Sequence, residues 1–498
     1  MKREQWNSKL GFLLAAIGSA VGLGNIWRFP YVAAENGGGA FLVPYFFAIL
    51  TAGIPILILE YTIGRKYRGG APVSFARINR KFEWLGWFQV MISFVINIYY
   101  FAIMIWVVSY IGFAFNQSWG SDTTGFFLDY LGVTSSALEL GGIQTNLIGP
   151  FILIWVLTAI VMYRGVSKGI EWACKICLPL LVVLMAIIVI RGVTLPGAAD
   201  GLNYLFAPNW SSILDSKVWV AAYSQVFFSL SIAFAIMIAY SSYLPKKADV
   251  VNSAFITATA NHGFELFAGI GVFSVMGYMA YSQGVGVEEV AAGGVGLAFM
   301  VFPEAINSLP AMNGLIGICF FGALFTAGFT SLISIIQAVI SGISDKFEIP
   351  QKKSTTIVLV PSFLISILFI TGAGLNILDI VDAFINNIGI AGAGVIEVIL
   401  IGWFFDTELL RKEANNFSNF SIGRWWVYML KIVTVVVLGF MVLSNAINYI
   451  KEGYGGYATI DIMTFGWGSL LLCVVVAIIL NAMKGKEGYA YLSKHEED

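Results

Sequence analysis

A nearly unbroken series of apolar runs, each long enough to cross a lipid bilayer, constrains this chain more than any other feature. A membrane helix needs about 20 apolar residues. Twelve such runs can be read, near 11–34, 41–64, 86–115, 147–163, 170–194, 218–243, 251–281, 312–342, 355–372, 376–404, 425–448 and 462–483. In hydrocarbon every backbone N–H and C=O must be bonded internally, so runs of this kind are read as helices. Only 11% of the residues are charged, against about 25% in an ordinary soluble domain. Such a chain cannot cover a water-facing surface, so its expected solvent is the lipid bilayer. A net charge of -1 argues against nucleic acid as a partner, because phosphate binding needs a basic surface. The first run continues through Trp27, Arg28 and Pro30 without a small-residue cleavage site, and it reads as a retained span.

Lysine and arginine alternate along the chain. Arg65, Lys66 and Arg68, then Arg164 and Lys168, Lys246 and Lys247, Lys352 and Lys353, Arg411 and Lys412, and Lys484 and Lys486 mark every second connection. The intervening connections are nearly free of positive charge, and 116–149 has none. The positive-inside rule then predicts cytoplasmic termini and a multi-pass protein of the cell membrane.

Two runs carry anomalies. The first contains Gly18, Ser19, Ala20, Val21, Gly22, Leu23, Gly24 and Asn25, and the sixth contains Gln225, Ser229 and Ser231. Glycine and polar side chains at mid-membrane weaken a helix. First and sixth are matching positions in two five-span halves, which would have opposite orientation because five is odd. Interrupted segments at matching positions point to a transporter's midplane site. The expectation is therefore an all-α membrane protein of twelve transmembrane helices. It is a 5+5 inverted repeat with discontinuous helices 1 and 6, followed by two extra C-terminal helices. The boundaries are 1–195 for the first repeat, 196–404 for the second, and 405–498 for the last two helices and tail. Small-residue helix packing is the competing explanation for the glycines.

A break at Gly18 to Gly24 frees carbonyls, which suit a cation, and N–H groups at the next half-helix, which suit a carboxylate. Asn25, Asn261, Ser229, Thr330 and Ser331 add neutral oxygens, a donor set for a monovalent ion. A divalent ion would want several carboxylates. Arg28, Glu60, Glu265 and Asp382 are ionisable groups at or near membrane depth, where such groups are functional candidates. Cys174 and Cys177 form a CxxC inside an apolar run, with no second pair or histidine cluster to complete a metal site. They read as buried side chains.

The stretch GSAVGLGNIWRFPYVAAENGGGAFLVPYF within 6–64 resembles the neurotransmitter:sodium symporters, especially their prokaryotic amino-acid members. So do NIYY (97–100), SKGIEWACKICLP (167–179), SQVFFSLS (224–231), TAGFTSL (326–332) and LDIVDAF (378–384). The resemblance covers essentially the whole chain. It implies two sodium ions and no organic cofactor. One sodium would be held by Ala20, Asn25, Ser229 and Asn261, the other by Gly18, Val21, Ala327, Thr330 and Ser331. It implies a substrate site at Ser19, Ala20, Leu23, Gly24, Ile96, Tyr100, Phe228, Ser229, Ser231, Phe234, Ser331 and Ile335. Arg28 and Asp382 would form an outer gate, and Arg3, Trp6, Tyr243 and Asp345 an inner one. Gly169 and Pro179 match the family's helix-five pair.

Amine-carrying members place an aspartate where this chain has Gly22, so the substrate is expected to bring its own carboxylate. Glu265 stands where chloride-dependent members have a small polar residue, so chloride independence is expected. Ala233 and Ala235 replace common glycines, which predicts a shallower pocket and a less open break. The expected function is sodium-coupled import of a small hydrophobic amino acid, leucine-like in shape, by alternating access. Alternatives are a passive or amino-acid-gated channel, a sensor on the same fold, and an intramembrane enzyme. The last lacks any HExxH or histidine cluster. Leu332 and His262 have no account from sequence, and a homodimer is left open.

Overall fold

The computed structural model describes residues 4–208, 210–290 and 294–491. Arg3, one of the expected inner-gate residues, lies outside them. The regular structure of the described residues is all helical, with two isolated β-bridges, Gly38 to Pro208 and Ile143 to Thr371, and no strand among them. In chain order the main helices are α1 (Lys9–Ala20), α2 (Gly24–Glu35), α3 (Gly39–Tyr67), α4 (Arg80–Ala114), α5 (Thr145–Tyr163) and α6 (Val166–Val193). They continue as α7 (Ser216–Ser229), α8 (Ile236–Ser241), α9 (Val250–Gln283), α10 (Asn313–Phe347), α11 (Gln351–Ile370), α12 (Gly374–Phe404), α13 (Trp425–Lys451) and α14 (Thr459–Ala482). Ten of these are long and apolar enough to cross a membrane, or eleven when the bent pair α1 and α2 counts as one span. The run expected at 218–243 is divided between α7 and α8, each too short to span alone.

The bundle is layered by burial. In the most apolar stretch of α4, 89% of residues are buried, and in α10, 83%. For α13 and α14 the shares are 22% and 28%, so the last two helices stand at the periphery and face lipid. Small residues let the central helices approach closely. A Cβ added to Gly342 of α10 would stand 3.0 Å from Val90 of α4. One added to Gly169 would stand 2.1 Å from the Val161 carbonyl, which closes the turn between α5 and α6. All four cysteines are free, and Cys174 is buried.

Both expected interruptions are present. Between α1 and α2 the chain turns through Val21, Gly22 and Leu23, and the two helices meet at 52°. Between α7 and α8 it is non-helical from Leu230 to Ala235. Here Ser231, Ala233 and Ala235 have φ of 54°, 68° and 70°, left-handed values that cost a non-glycine residue about 1 kcal/mol each. The break is thus present with alanines at both positions. The strain is offset by side chains from other helices. The Glu60 carboxylate of α3 accepts the Ala233 N–H at 2.5 Å, and the Ser93 hydroxyl of α4 donates to the Phe234 carbonyl at 2.5 Å.

Glu60 is fully buried, and no other described side chain supplies a partner to Ala233. Glu60→Ala leaves that N–H unpaired in an apolar interior, at about 1–3 kcal/mol, whereas Glu60→Gln keeps an acceptor oxygen. Thermal unfolding of the purified protein should show a clear drop for Glu60→Ala and a much smaller one for Glu60→Gln. Ala233→Gly, which relieves the positive φ, should leave the midpoint unchanged or raised.

Candidate functional site

The break in the first span is held open by its own side chain. The Gly22 N–H, which in a continuous helix would point back to the Gly18 carbonyl, donates instead to Asn25 Oδ1 at 2.9 Å. The Asn25 N–H in turn reaches the Gly22 carbonyl at 3.2 Å. This releases Gly18 and Val21 carbonyls from the helical ladder. The Ser19 carbonyl accepts from two hydroxyls, Ser231 of the second break at 2.9 Å and Ser331 of α10 at 3.0 Å, so the end of α1, the second break and α10 converge on one point.

Asn25 Nδ2 donates to Asn261 Oδ1 at 2.8 Å, and Asn261 Nδ2 donates to Ser229 Oγ at 3.1 Å. Three of the four residues expected at the first sodium site thus form one buried chain, directly below the break that carries Ala20. Thr330 Oγ1 bonds the Ala327 carbonyl at 3.0 Å, and Ser331 Oγ lies 3.5 Å from the Gly18 carbonyl. A Cβ on Gly18 would stand 3.2 Å from Cβ of Thr330. Four of the five residues expected at the second site therefore meet on facing turns of α1 and α10. Every one of these donors is a neutral oxygen, a fit to a monovalent cation and a poor fit to a divalent one.

Beside the breaks is a cavity of about 420 Å³. Its walls include every expected substrate residue: Ser19, Ala20, Leu23, Gly24, Ile96, Tyr100, Phe228, Ser229, Ser231, Phe234, Ser331 and Ile335. A Cβ on Gly22 would stand 2.7 Å from Ser331 Oγ and 3.5 Å from the Tyr100 hydroxyl, so both hydroxyls face the first break. Cβ of any residue replacing Gly24 would be 2.6 Å from the Phe228 ring, so that ring lies flush on the broken backbone. Tyr31, Tyr99, Leu378, Asp379 and Tyr454 also line the cavity. Tyr31, Tyr99, Leu378 and Asp379 lie within the family-like motifs but were not assigned to the site, and Tyr454 lies outside those motifs and reaches the site only through folding.

The outer side differs from expectation in one respect. Arg28 and Asp382 both line the cavity, but among the described residues they form no ion pair with one another. The Arg28 guanidinium donates to Gln225 Oε1 at 2.8 Å and Ser224 Oγ at 3.2 Å, and stands 4.9 Å above the Phe228 ring. Asp382 accepts from Asn386 at 2.7 Å. A hydrogen-bonded relay leads inward from Arg28. Gln225 Nε2 donates to Glu265 Oε1 at 2.7 Å, and the other Glu265 oxygen meets the Tyr45 hydroxyl and, at 2.9 Å, His262 Nδ1. His262 Nδ1 is also 2.7 Å from the Tyr45 hydroxyl. His262 is thereby accounted for as a hydrogen-bonded partner of Glu265. Leu332 is fully buried in the core.

On the opposite side Trp6 donates its indole N–H to the Tyr240 carbonyl at 2.9 Å and stacks edge-on against Tyr240 and Tyr243. Asp345 Oδ2 accepts the Gly70 N–H at 2.6 Å, and Gln337 donates to the Tyr243 hydroxyl at 2.8 Å. Of the expected inner-gate residues, Trp6 and Tyr243 meet just before α1, and Asp345 lies near the end of α10, bonded to Gly70.

Comparison with known proteins agrees with this geometry. The sodium:neurotransmitter symporter family model matches residues 3–127 and 120–486. The chain belongs to that family. It is a multi-pass membrane protein and a sodium-coupled secondary transporter of a small solute, working by alternating access, and not an enzyme. It is 40% identical over 490 residues to an uncharacterized sodium-dependent transporter of Methanocaldococcus jannaschii, covering 98% of this chain and 99% of that protein. It is 30% identical to the sodium-dependent dopamine transporter of Caenorhabditis elegans, over 91% of this chain and 82% of that one. It is 27% identical to the sodium- and chloride-dependent taurine transporter of Rattus norvegicus, over 96% and 84%.

Two substitutions test the site of this symporter. Gly24→Ala forces the Phe228 ring aside, an overpacking cost of about 1–3 kcal/mol, and equilibrium binding of the transported solute should weaken by about tenfold or more. Asn25→Ala removes both the acceptor that holds Gly22 and the link to Asn261. It should weaken sodium and solute binding together in the same titration. Loss of only one would separate Asn25 from the shared site.

Proposed function

We propose that this symporter imports a small hydrophobic amino acid together with sodium, with a leucine-like aliphatic side chain favoured. One observation carries the reading. Gly22 lies at the break beneath the cavity, and a Cβ there would stand 2.7 Å from Ser331 Oγ, which leaves no room for a carboxylate to meet a substrate amine. The site then needs a substrate that brings its own carboxylate. The half-helix beginning at Leu23 and Gly24, with the Tyr100 hydroxyl, offers donors to it. Ile96, Phe234 and Ile335 offer an apolar wall to the side chain.

In this reading the first sodium sits among Ala20, Asn25, Ser229 and Asn261 and touches the substrate carboxylate. The second sits among Gly18, Val21, Ala327, Thr330 and Ser331 and ties α1 to α10. Opposite charges placed side by side in a site of low dielectric offset one another, which couples their binding. Phe228 and Tyr100 form the lid below an outer gate of Arg28 and Asp382. Trp6, Tyr243 and Asp345, with Arg3, form the inner gate. In the same reading the chain is a twelve-span inverted repeat, with 1–195 and 196–404 as the two repeats and 405–498 appended. The basic connections favour cytoplasmic termini.

Chloride independence belongs to the same proposal. The taurine relative and a Xenopus laevis glycine transporter are named as chloride-dependent. Here the fully buried Glu265 carboxylate supplies a negative charge on the Arg28 side of the site.

Uptake of a panel of labelled amino acids into proteoliposomes tests the function. Accumulation should follow the sodium gradient, favour aliphatic side chains, and persist when gluconate replaces chloride. Uptake that continues in potassium alone, or that prefers amines lacking a carboxylate, contradicts the reading.

A further inference from the structure

On the face that carries Trp6 and Tyr243, an open recess of about 710 Å³ is formed where three parts of the chain meet. The turn between α5 and α6 contributes Tyr163, Arg164, Ser167 and Lys168, the start of α11 contributes Lys352, and the N-terminal segment contributes Glu4. Three cations thus surround one concave space. Among the described residues none of the three has a carboxylate within ion-pair distance. The one acid there is already engaged, since Glu4 Oε2 accepts the Val166 N–H at 2.8 Å. Other cations of this protein are paired, among them Arg65 with Glu413 at 2.7 Å and Lys346 with Glu83 at 2.7 Å.

A second observation says which anion suits the recess. Directly along α6 from it runs a ridge of exposed apolar side chains at helical spacing: Trp172, Ile176, Leu180 and Val183. The Arg164 guanidinium stands 5.9 Å from the Trp172 ring, so charge and apolar ridge are continuous. Tryptophan beside a cation at the end of an apolar ridge marks the level of lipid headgroups. A ligand with a phosphate and an acyl chain fills both parts at once, whereas a free anion uses only the recess.

We propose that this recess binds the headgroup of an anionic phospholipid, with its acyl chain along the Trp172 ridge. The headgroup bridges Arg164 and Lys168 to Lys352 and so ties α6 to α11. Because Glu4 bonds Val166 in the same turn and Trp6 follows two residues later, the bound lipid also steadies the segment that covers Tyr240 and Tyr243. Anionic lipid is thereby a ligand of the inner gate, and it favours the arrangement in which Trp6 is seated.

Each basic side chain near a lipid phosphate contributes roughly 1 kcal/mol, about fivefold in affinity. The test uses the full-length protein in nanodiscs of phosphatidylcholine with increasing phosphatidylglycerol, reading bound phosphatidylglycerol by native mass spectrometry and stability by thermal unfolding. The expected result is a retained phosphatidylglycerol and a raised unfolding midpoint in the unmodified protein. Lys352→Gln should weaken retention about fivefold, and Arg164→Gln with Lys352→Gln further. Lys353→Gln removes the same charge next door but does not line the recess, and should behave as the unmodified protein. Equal losses in Lys352→Gln and Lys353→Gln would reduce the effect to general surface charge and overturn the proposal. So would the absence of any phosphatidylglycerol effect. Inorganic phosphate added to pure phosphatidylcholine discs should not reproduce the rise, and if it did the recess would be a site for a soluble anion instead. Should the double variant not fold, the paired single variants still decide.

Discussion

A peptide group inside a bilayer must find a partner within the protein, and the organisation of this transporter follows from that requirement. A continuous helix meets it by itself. The two interrupted spans do not, and their peptide groups are met by side chains from elsewhere: Asn25 for Gly22, Ser231 and Ser331 for Ser19, Glu60 for Ala233, and Ser93 for Phe234. These partners come from α2, α3, α4, the second break and α10. The site is consequently not an attachment to a finished bundle. The bundle's central helices are placed where the interrupted backbone needs them, and the carbonyls left over are the ones available to a cation.

The same economy extends to charge. Glu265 is buried in a span, where an isolated carboxylate would be expensive. It is bonded to Gln225, Tyr45 and His262, and through Gln225 to Arg28. The relay spans from the cavity's outer rim to the flank of Asn261, so in the proposed arrangement a change of charge at the first sodium site is felt at the guanidinium over Phe228. Interactions of this kind are long-lived because low dielectric strengthens them. They give a transporter a way to link the state of its ion site to the state of its lid.

Much of this was legible in the chain before folding. The apolar runs locate the helices to within a few residues, because length and composition alone specify a span in lipid. The glycine-rich stretch from Gly18 to Asn25 announces its break, since glycine and a side-chain amide are what an opened turn requires. The second break was harder to read. Ala233 and Ala235 look unsuited to positive φ, and only the distant Glu60 and Ser93 explain how the chain adopts it. The Arg28 side chain illustrates the same limit. A pairing with Asp382 suited their charges and depth, yet Gln225 and Ser224 on α7 are nearer neighbours, a fact of helix packing that no spacing encodes. His262 had no role until Tyr45, remote in sequence, was placed against it.

The central claim is that sodium and the transported solute are held side by side by one broken backbone, each improving the other's environment. Such coupling is reciprocal at equilibrium. The direct measurement is a pair of titrations on the purified transporter, solute affinity at zero and saturating sodium, and sodium affinity at zero and saturating solute. The account predicts that sodium tightens solute and solute tightens sodium by the same factor, well above one. A factor of one in both titrations, with both ligands still bound, would contradict it.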